Sequence, residues 1–322
     1  MASRILRFVM ACALALTCVG AFAQAWPQRP IKLIVPSTPG SSPDVLARLL
    51  GQQMEAALGQ SMVVDNKPGA GGILATDLLA RAAPDGYTLE LAHDGNMAIN
   101  TVLYKSLPYD PQKDFAPVAK LALNEFVLIA APSTGVRSFA EFVAFVKAAG
   151  GKATYASAGI GSPNHVFMED LLRKIGASML HVPYKGGAAA VTGVLGDQSQ
   201  FFLSGIAPAI GHIKSGKLNA VAVAQRKRAA ILPDVPTVGE TIPGFAMETW
   251  FGLFAPAGTP QVIVGKLASI VKDVLARAEV RDKLSQQGMA IDYQPGDALA
   301  RQISSDIARY SVLAKEIKLE AN

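Results

Sequence analysis

A run of β-favouring residues, Ile31-Lys32-Leu33-Ile34-Val35, stops at Pro36 and gives way to the polar loop Ser37 to Ser42. Apolar residues at helical spacing follow as far as Leu58. Pro43 suits a first helical turn, where its missing N–H costs nothing, and Ser41 with Asp44 fits a capping box. The phrase strand, polar loop, helix then returns. Met62-Val63-Val64 leads into Gly69-Ala70-Gly71-Gly72 and a helix through Leu79, and Pro84-Asp85-Gly86 turns the chain into a strand from Tyr87 to Ala92 that ends at His93-Asp94-Gly95-Asn96. Further strands are expected at Phe126 to Ala130, Thr154 to Ser157, Met179 to Val182, Phe201 to Leu203 and Leu218 to Ala224, with helices such as Ser138 to Ala149 and His165 to Ile175 between them. Strands alternating with helices of this length predict an α/β protein with parallel sheets covered on both faces.

An internal echo suggests where the chain divides. Phe126-Val127-Leu128-Ile129-Ala130-Ala131-Pro132 resembles Phe251-Gly252-Leu253-Phe254-Ala255-Pro256. If such strands carry the chain between two lobes, once out and once back, lobe 1 comprises residues 26–125 and 250–322 and lobe 2 residues 126–249. The expected architecture is two lobes, each a central β-sheet flanked by helices, joined by crossing strands. From Pro260 the residues Ile263, Leu267, Ile270, Val271, Val274 and Leu275 fall on one helical face, which is packing and not function.

The first 25 residues change the picture of where the protein works. Arg4 and Arg7 precede an apolar run from Phe8 to Val19 and the small-residue sites Ala21-Phe22-Ala23 and Ala23-Gln24-Ala25, the order of a secretory signal peptide cleaved near Ala23 or Ala25. Retention as an anchor fits this Ala-rich stretch less well, and Leu16-Thr17 is a poor acylation signal before Cys18. The apolar run is far short of the ~20 residues a spanning helix needs, so the mature chain is not expected to span a membrane. Cys12 and Cys18, the two cysteines of the chain, both lie in the signal, which leaves no disulfide, thiolate metal site or cysteine nucleophile. Beyond residue 25 there are 28 basic and 25 acidic residues, too even a balance for nucleic acid. Arg226-Lys227-Arg228 is short and isolated, as a solvated loop would be.

In open α/β sheets, ligands bind where loops leave strand carboxyl ends and helices begin, and helix amino termini there suit anions. Ser37, Thr38, Gly40, Ser41, Ser42 and Asp44 form one such loop; Ser157, Ala158, Gly159, Ile160, Ser162, Asn164 and His165 form another in the second lobe. His93 and Asp94 follow a strand end, and Tyr184 and Lys185 stand at an expected cleft mouth. Enzyme signatures fare worse. Gly69-Ala70-Gly71-Gly72 is neither a phosphate-binding loop nor a GxGxxG, since Leu74 takes the last glycine position, and there is no GxSxG or HExxH. His165 and Glu169, one helical turn apart, are read as a capping or solvent-facing pair before a metal site.

At these residues the sequence resembles the Bug family, the substrate-binding receptors of tripartite tricarboxylate transporters, across essentially the whole chain after residue 25. The resemblance is carried by Trp26-Pro27 with Pro30-Ile31, Pro39-Gly40 through Asp44 to Ala47-Arg48, Val64-Asp65-Asn66-Lys67-Pro68-Gly69-Ala70-Gly71-Gly72 and Pro84-Asp85-Gly86-Tyr87-Thr88-Leu89. Tyr155 to His165, Val182-Pro183-Tyr184-Lys185-Gly186 and Leu232-Pro233-Asp234-Val235-Pro236-Thr237 continue it in order. It implies a type II periplasmic-binding-protein fold that closes over a small carboxylate, no cofactor, docking on inner-membrane transporter subunits, and ligand loops at Ser37 to Asp44 and Ser157 to His165. Where relatives that bind amino acids place an acid, this chain has Ser204, which argues for a ligand without a free amine. The expected grip is by backbone N–H groups near Gly40, Ser41, Gly159 and Ile160. Two readings from other classes stand beside this one: a secreted hydrolase or lyase using His93 and Asp94, and a sensor that reports a bound ligand to a membrane kinase.

Overall fold

The computed structural model describes residues 26–319; the export signal expected at residues 1–25 lies outside them. The first β-strand, β1 (Ile31–Val35), is followed by helix α1 (Ser42–Leu58), and the phrase repeats through β2 (Met62–Asn66), α2 (Ile73–Ala80) and β3 (Thr88–His93). A wide helical turn, Gly95–Ile99, runs into α3 (Asn100–Leu103) and on to β4 (Phe115–Asn124). One residue later the chain enters β5 (Phe126–Ala130), then α4 (Phe139–Ala148), β6 (Thr154–Ser157), α5 (Pro163–Ile175), β7 (Leu180–Pro183), α6 (Gly187–Leu195), β8 (Phe201–Gly205), α7 (Ile206–Lys214) and β9 (Asn219–Val223). It ends with β10 (Thr249–Pro256), α8 (Gln261–Ala276), α9 (Ala278–Ser285), β11 (Met289–Pro295) and α10 (Gly296–Ile317).

Two sheets result, in the orders β11-β4-β10-β3-β1-β2 and β7-β6-β8-β5-β9, both flanked by helices. The expectation of parallel sheets holds for the repeated strands and not for the crossing ones. β10 pairs antiparallel with β3 and β4, and β5 antiparallel with β8 and β9. The reason is geometric. Strands of the repeated phrase run toward the gap between the sheets, whereas a strand entered from the other sheet starts at that gap and must run away from it. Two strands were not anticipated, β4 and β11. β4 carries Pro117 and a buried Lys120, whose Nζ reaches Asp292 at 2.7 Å on β11, and so lacks an uninterrupted apolar signature.

Each sheet has its own core. Leu33, Leu91, Leu121 and Leu253 meet the inner faces of α1 and α8, including Leu46, Leu50, Leu267 and Val271, while Leu128, Phe201 and Leu203 pack with Phe142, Leu171 and Met168. α10 belongs to both. Leu299 and Ile303 in its first half pack with Trp250 and Phe254, whereas Tyr310 and Ala314 join the second core and Arg173 reaches Glu316 at 2.9 Å.

A buried acid ties β3 to the elements above it. Glu90 is fully buried, and its Oε1 accepts hydrogen bonds from Thr76 Oγ1 (3.0 Å) on α2 and Asn96 Nδ2 (2.8 Å). Among the described residues no cation pairs with it. Burial outweighs both hydrogen bonds and raises its carboxyl to about 8. A carboxyl raised on folding contributes stability that is full below its unfolded value and lost as pH rises through the folded one. Glu90→Gln, which keeps the shape without the charge, should therefore flatten the loss of stability between about pH 5 and 9, by on the order of a few kcal/mol, in denaturant titrations run across that range.

Candidate functional site

The carboxyl ends of the repeated strands of both sheets face one another across a cavity with about 70 Å³ open to the centres of water-sized groups. Four helices begin on its wall. Ser42 and Pro43 open α1, Pro163 and Asn164 open α5, Gly187 opens α6, and Gly205 with Pro208 marks the start of α7. None of the four is capped by its own N-cap side chain, but Ser41 Oγ takes the Ala188 N–H of α6 and the Glu125 carbonyl takes the Ile206 N–H of α7. Their first-turn N–H groups have no intrahelical acceptor, and those of Ser42, Asn164 and Gly187 belong to residues that line the cavity. The helix dipoles add their positive ends.

On the first-sheet side, Ser37, Ser41 and Ser42 line the space. The expected capping box does not form. The Ser41 hydroxyl bonds Thr38 Oγ1 (3.0 Å) and accepts from the Ala188 N–H (3.1 Å) of the opposite side. Asp44 accepts instead from the Gly40 N–H (2.8 Å), Arg48 Nε (3.0 Å) and Asn66 Nδ2 (3.0 Å). Burial alone would raise its carboxyl, but these bonds prevail and hold it below the ordinary value. Asp44 and Gly40 therefore brace the loop from behind, with Thr38, and do not line the cavity.

On the second-sheet side, Ala158, Ser162 and Asn164 line it, and the rest of the loop supports them. Ser157 Oγ bonds His181 Nε2 (2.6 Å) and accepts from the Gly159 N–H (3.0 Å), and Ser162 Oγ donates to the Gly159 carbonyl (2.6 Å). His165 stacks on His181 at 4.0 Å, and the Tyr155 ring lies near-parallel to both, 4.9 Å from His181 and 6.4 Å from His165. Burial lowers His165 to about 3, helped by His181, and His181 to about 4, so the stack is uncharged at neutral pH. Tyr184 lies behind, its hydroxyl 3.3 Å from Ser199 Oγ, while Lys185 is exposed at the mouth. Ile160 is exposed and does not line the space. Ser204 is fully buried and donates to the Gly205 carbonyl (2.8 Å), also behind the wall.

The amides expected to grip a ligand are thus partly occupied: those of Gly40 and Gly159 serve Asp44 and Ser157, and that of Ser41 faces the Thr38 carbonyl at 3.2 Å. The open donors sit one step further in, at Ser42, Asn164 and Gly187, whereas the first N–H of α7, that of Ile206, serves the Glu125 carbonyl at 3.0 Å. From the first sheet, His93 and Asp94 also reach the wall. Burial lowers His93 to about 4, and its Nδ1 accepts from the Gly95 N–H (3.0 Å); Asp94 takes the Tyr310 hydroxyl instead. No hydrogen bond joins His93 to Asp94 among the described residues.

Sequence reasoning missed Gly69, Gly71, Gly72, Gly186, Gly187 and Gly205, and the crossing residues Asn124, Phe126, Thr249 and Phe251. The glycines were legible as loops but not as points of contact. A Cβ on Gly71 would lie 2.8 Å from the Ile160 carbonyl, and one on Gly186 2.7 Å from Thr38 Oγ1 and 3.0 Å from the Thr38 nitrogen. The two sides touch through backbone.

Residues 46–319 match the model of the tripartite tricarboxylate transporter family receptor. The chain belongs to that receptor family. BugT of Bordetella pertussis is 33% identical over 296 residues, 91% of each chain. An R. palustris protein solved with adipate superposes with a TM-score of 0.89 at 30% identity, covering 92% of this receptor and 99% of that chain. MatC from Rhodopseudomonas palustris with bound malate gives 0.84 at 33% identity over 89% and 99%. This receptor thus shares the two-sheet α/β fold of those proteins, and its family is one of solute-binding receptors, not of enzymes.

Gly186 also has a φ of 134°, a conformation side chains rarely adopt. Gly186→Val should hold the two sides of this receptor apart, and small-angle X-ray scattering should show a larger radius of gyration for the variant than for the parent while thermal unfolding stays cooperative.

Proposed function

We propose that this receptor captures a small organic carboxylate between its two sheets in the periplasm and delivers it to the inner-membrane subunits of a tripartite tricarboxylate-type transporter. One observation carries the carboxylate reading: three helix amino termini, drawn from both sheets, bring the first-turn N–H groups of Ser42, Asn164 and Gly187 to the lining of a single cavity. Preorganised N–H groups replace the water lost by an anion without the further cost of burying a lysine or arginine. The exposed Lys185 adds attraction at the mouth. Adipate and malate in two relatives of the same fold support the same ligand class.

In this reading the lobes are residues 26–125 with 250–322, and 126–249, and they close on the ligand as a clamp. Ser37, Ser41, Ser42, His93, Asp94, Ala158, Ser162, Asn164 and Lys185 form the contact shell, and Thr38, Gly40, Asp44, Ser157, Gly159, Ile160, His165, Tyr184 and Ser204 hold that shell in place. Export rests on the charged, apolar and small-residue order of the first 25 residues. Among the described residues no helix is long and apolar enough to cross a membrane.

Native mass spectrometry of the purified receptor, followed by a thermal-shift screen of succinate, malate, adipate, citrate and benzoate against sugars and amines, tests the ligand class. A carboxylate present at about 100 times its Kd adds about 2.7 kcal/mol of stability, readily seen as a raised Tm. A shift with sugars or amines alone would sink the reading. So would steady turnover of a bound acid that His93→Ala abolishes.

A further inference from the structure

Resting on the carboxylate reading above, we propose that Asp94 donates a hydrogen bond from its protonated carboxyl to a second carboxylate of the ligand, so that the receptor takes up a dicarboxylate together with one proton. Asp94 lines the cavity and is fully buried. Its Oδ2 accepts the Tyr310 hydroxyl from α10, whereas its Oδ1 is buried with no hydrogen-bond partner among the described residues. No cation pairs with it there. Arg309 is turned to Asp306 at 3.0 Å and lies over the Tyr310 ring, and Asp306 also accepts from Trp250 Nε1 at 2.7 Å.

A buried acid with no cationic partner keeps its proton, and with Oδ2 engaged as an acceptor that proton sits on Oδ1. An O–H there requires an acceptor. Asp94 is part of the cavity lining, so an acceptor that enters there lies beside it, and a carboxylate oxygen makes the strongest bond of this kind. The surroundings agree. Burial raises the Asp94 carboxyl; the Tyr310 hydroxyl opposes that rise, Asp306 adds to it, Arg309 and the nearby Gly95 N–H, which itself bonds His93 Nδ1, oppose it, and the group ends at about 7. Along its own strand, His93 is lowered to about 4 and Glu90 raised to about 8, so neither supplies charge near neutrality. Pro163 and Asn164 face the cavity from α5 without charge, and Lys185 stays exposed at the mouth.

The sign of the pH effect follows. If the protonated acid binds the dianion, affinity is full below the titration point and falls above it, by about tenfold from pH 6 to 8 for a group titrating near 7. An ammonium ligand paired with ionised Asp94 would behave in the opposite way.

Isothermal titration calorimetry of the whole receptor with succinate, malate, adipate and L-aspartate from pH 6 to 8 tests the proposal. Expected are tighter binding of the dicarboxylates than of L-aspartate and an affinity loss of about tenfold across the range, with a proton uptake per ligand, read in buffers of different ionisation enthalpy, that rises from near zero at the low end toward about one at the high end. Asp94→Asn removes the loss. Tyr310→Phe, which keeps the packing but deletes the bond that lowers the acid, moves the midpoint to higher pH. A flat profile, the same loss in Asp94→Asn, an unmoved midpoint in Tyr310→Phe, or affinity for L-aspartate that rises with pH each overturns the proposal. No binding of any of the four acids overturns the carboxylate reading, and this inference with it.

Discussion

An α-helix begins with N–H groups that its own hydrogen bonding cannot satisfy, and in this receptor three helices bring such groups, those of Ser42, Asn164 and Gly187, to the lining of one cavity. That arrangement explains much of the surrounding chain. The residues that ordinarily cap a helix are present but employed elsewhere: Ser41 reaches across to Ala188, and Asp44 secures Gly40, Arg48 and Asn66. Ser162 turns its hydroxyl back to the Gly159 carbonyl. The polar side chains fix the loops, and the backbone is left to meet whatever enters.

Bringing backbone to backbone requires glycine. Gly71 approaches the Ile160 carbonyl, Gly161 the Asn100 side chain, and Gly186 the Ser37-Thr38 segment, each at a distance that a Cβ would violate. The space between the sheets is small because these glycines let the two sides approach so closely. The titratable groups around it are correspondingly muted. His93, His165 and His181 are all lowered by burial, and Glu90 and Asp94 are raised by it, so near neutrality the histidines and Glu90 carry little charge and Asp94 stands near its midpoint. In such surroundings an oriented N–H dipole is worth more than in water, and a single unpaired acid weighs heavily on what can bind.

The topology follows from the same demand. Loops from both sheets can face each other only if the repeated strands of both point their carboxyl ends at the gap, and the chain can pass between the sheets only at that gap. β5 and β10 therefore run against their neighbours, and Asn124, Phe126, Thr249 and Phe251 become part of the wall because the crossings are there. α10, packed on both cores, couples the far side of the first sheet to the second.

The repeated strand-loop-helix phrase, the polar loops at Ser37 to Asp44 and Ser157 to His165, and the family all lay in the linear order of residues, because hydrophobic period, turn residues and caps are local properties. So did the expectation of a carboxylate, since polar loops that leave strand ends and open helices suit an anion. Which amides are free was decided only in three dimensions: Gly40 and Gly159 looked like donors until Asp44 and Ser157 were seen to use them. The same holds for Ser204, buried behind the wall, and for Asp94, whose partner Tyr310 is more than two hundred residues away. Local sequence determines where a helix begins; only the packing of distant elements determines what its first turn is left to bind.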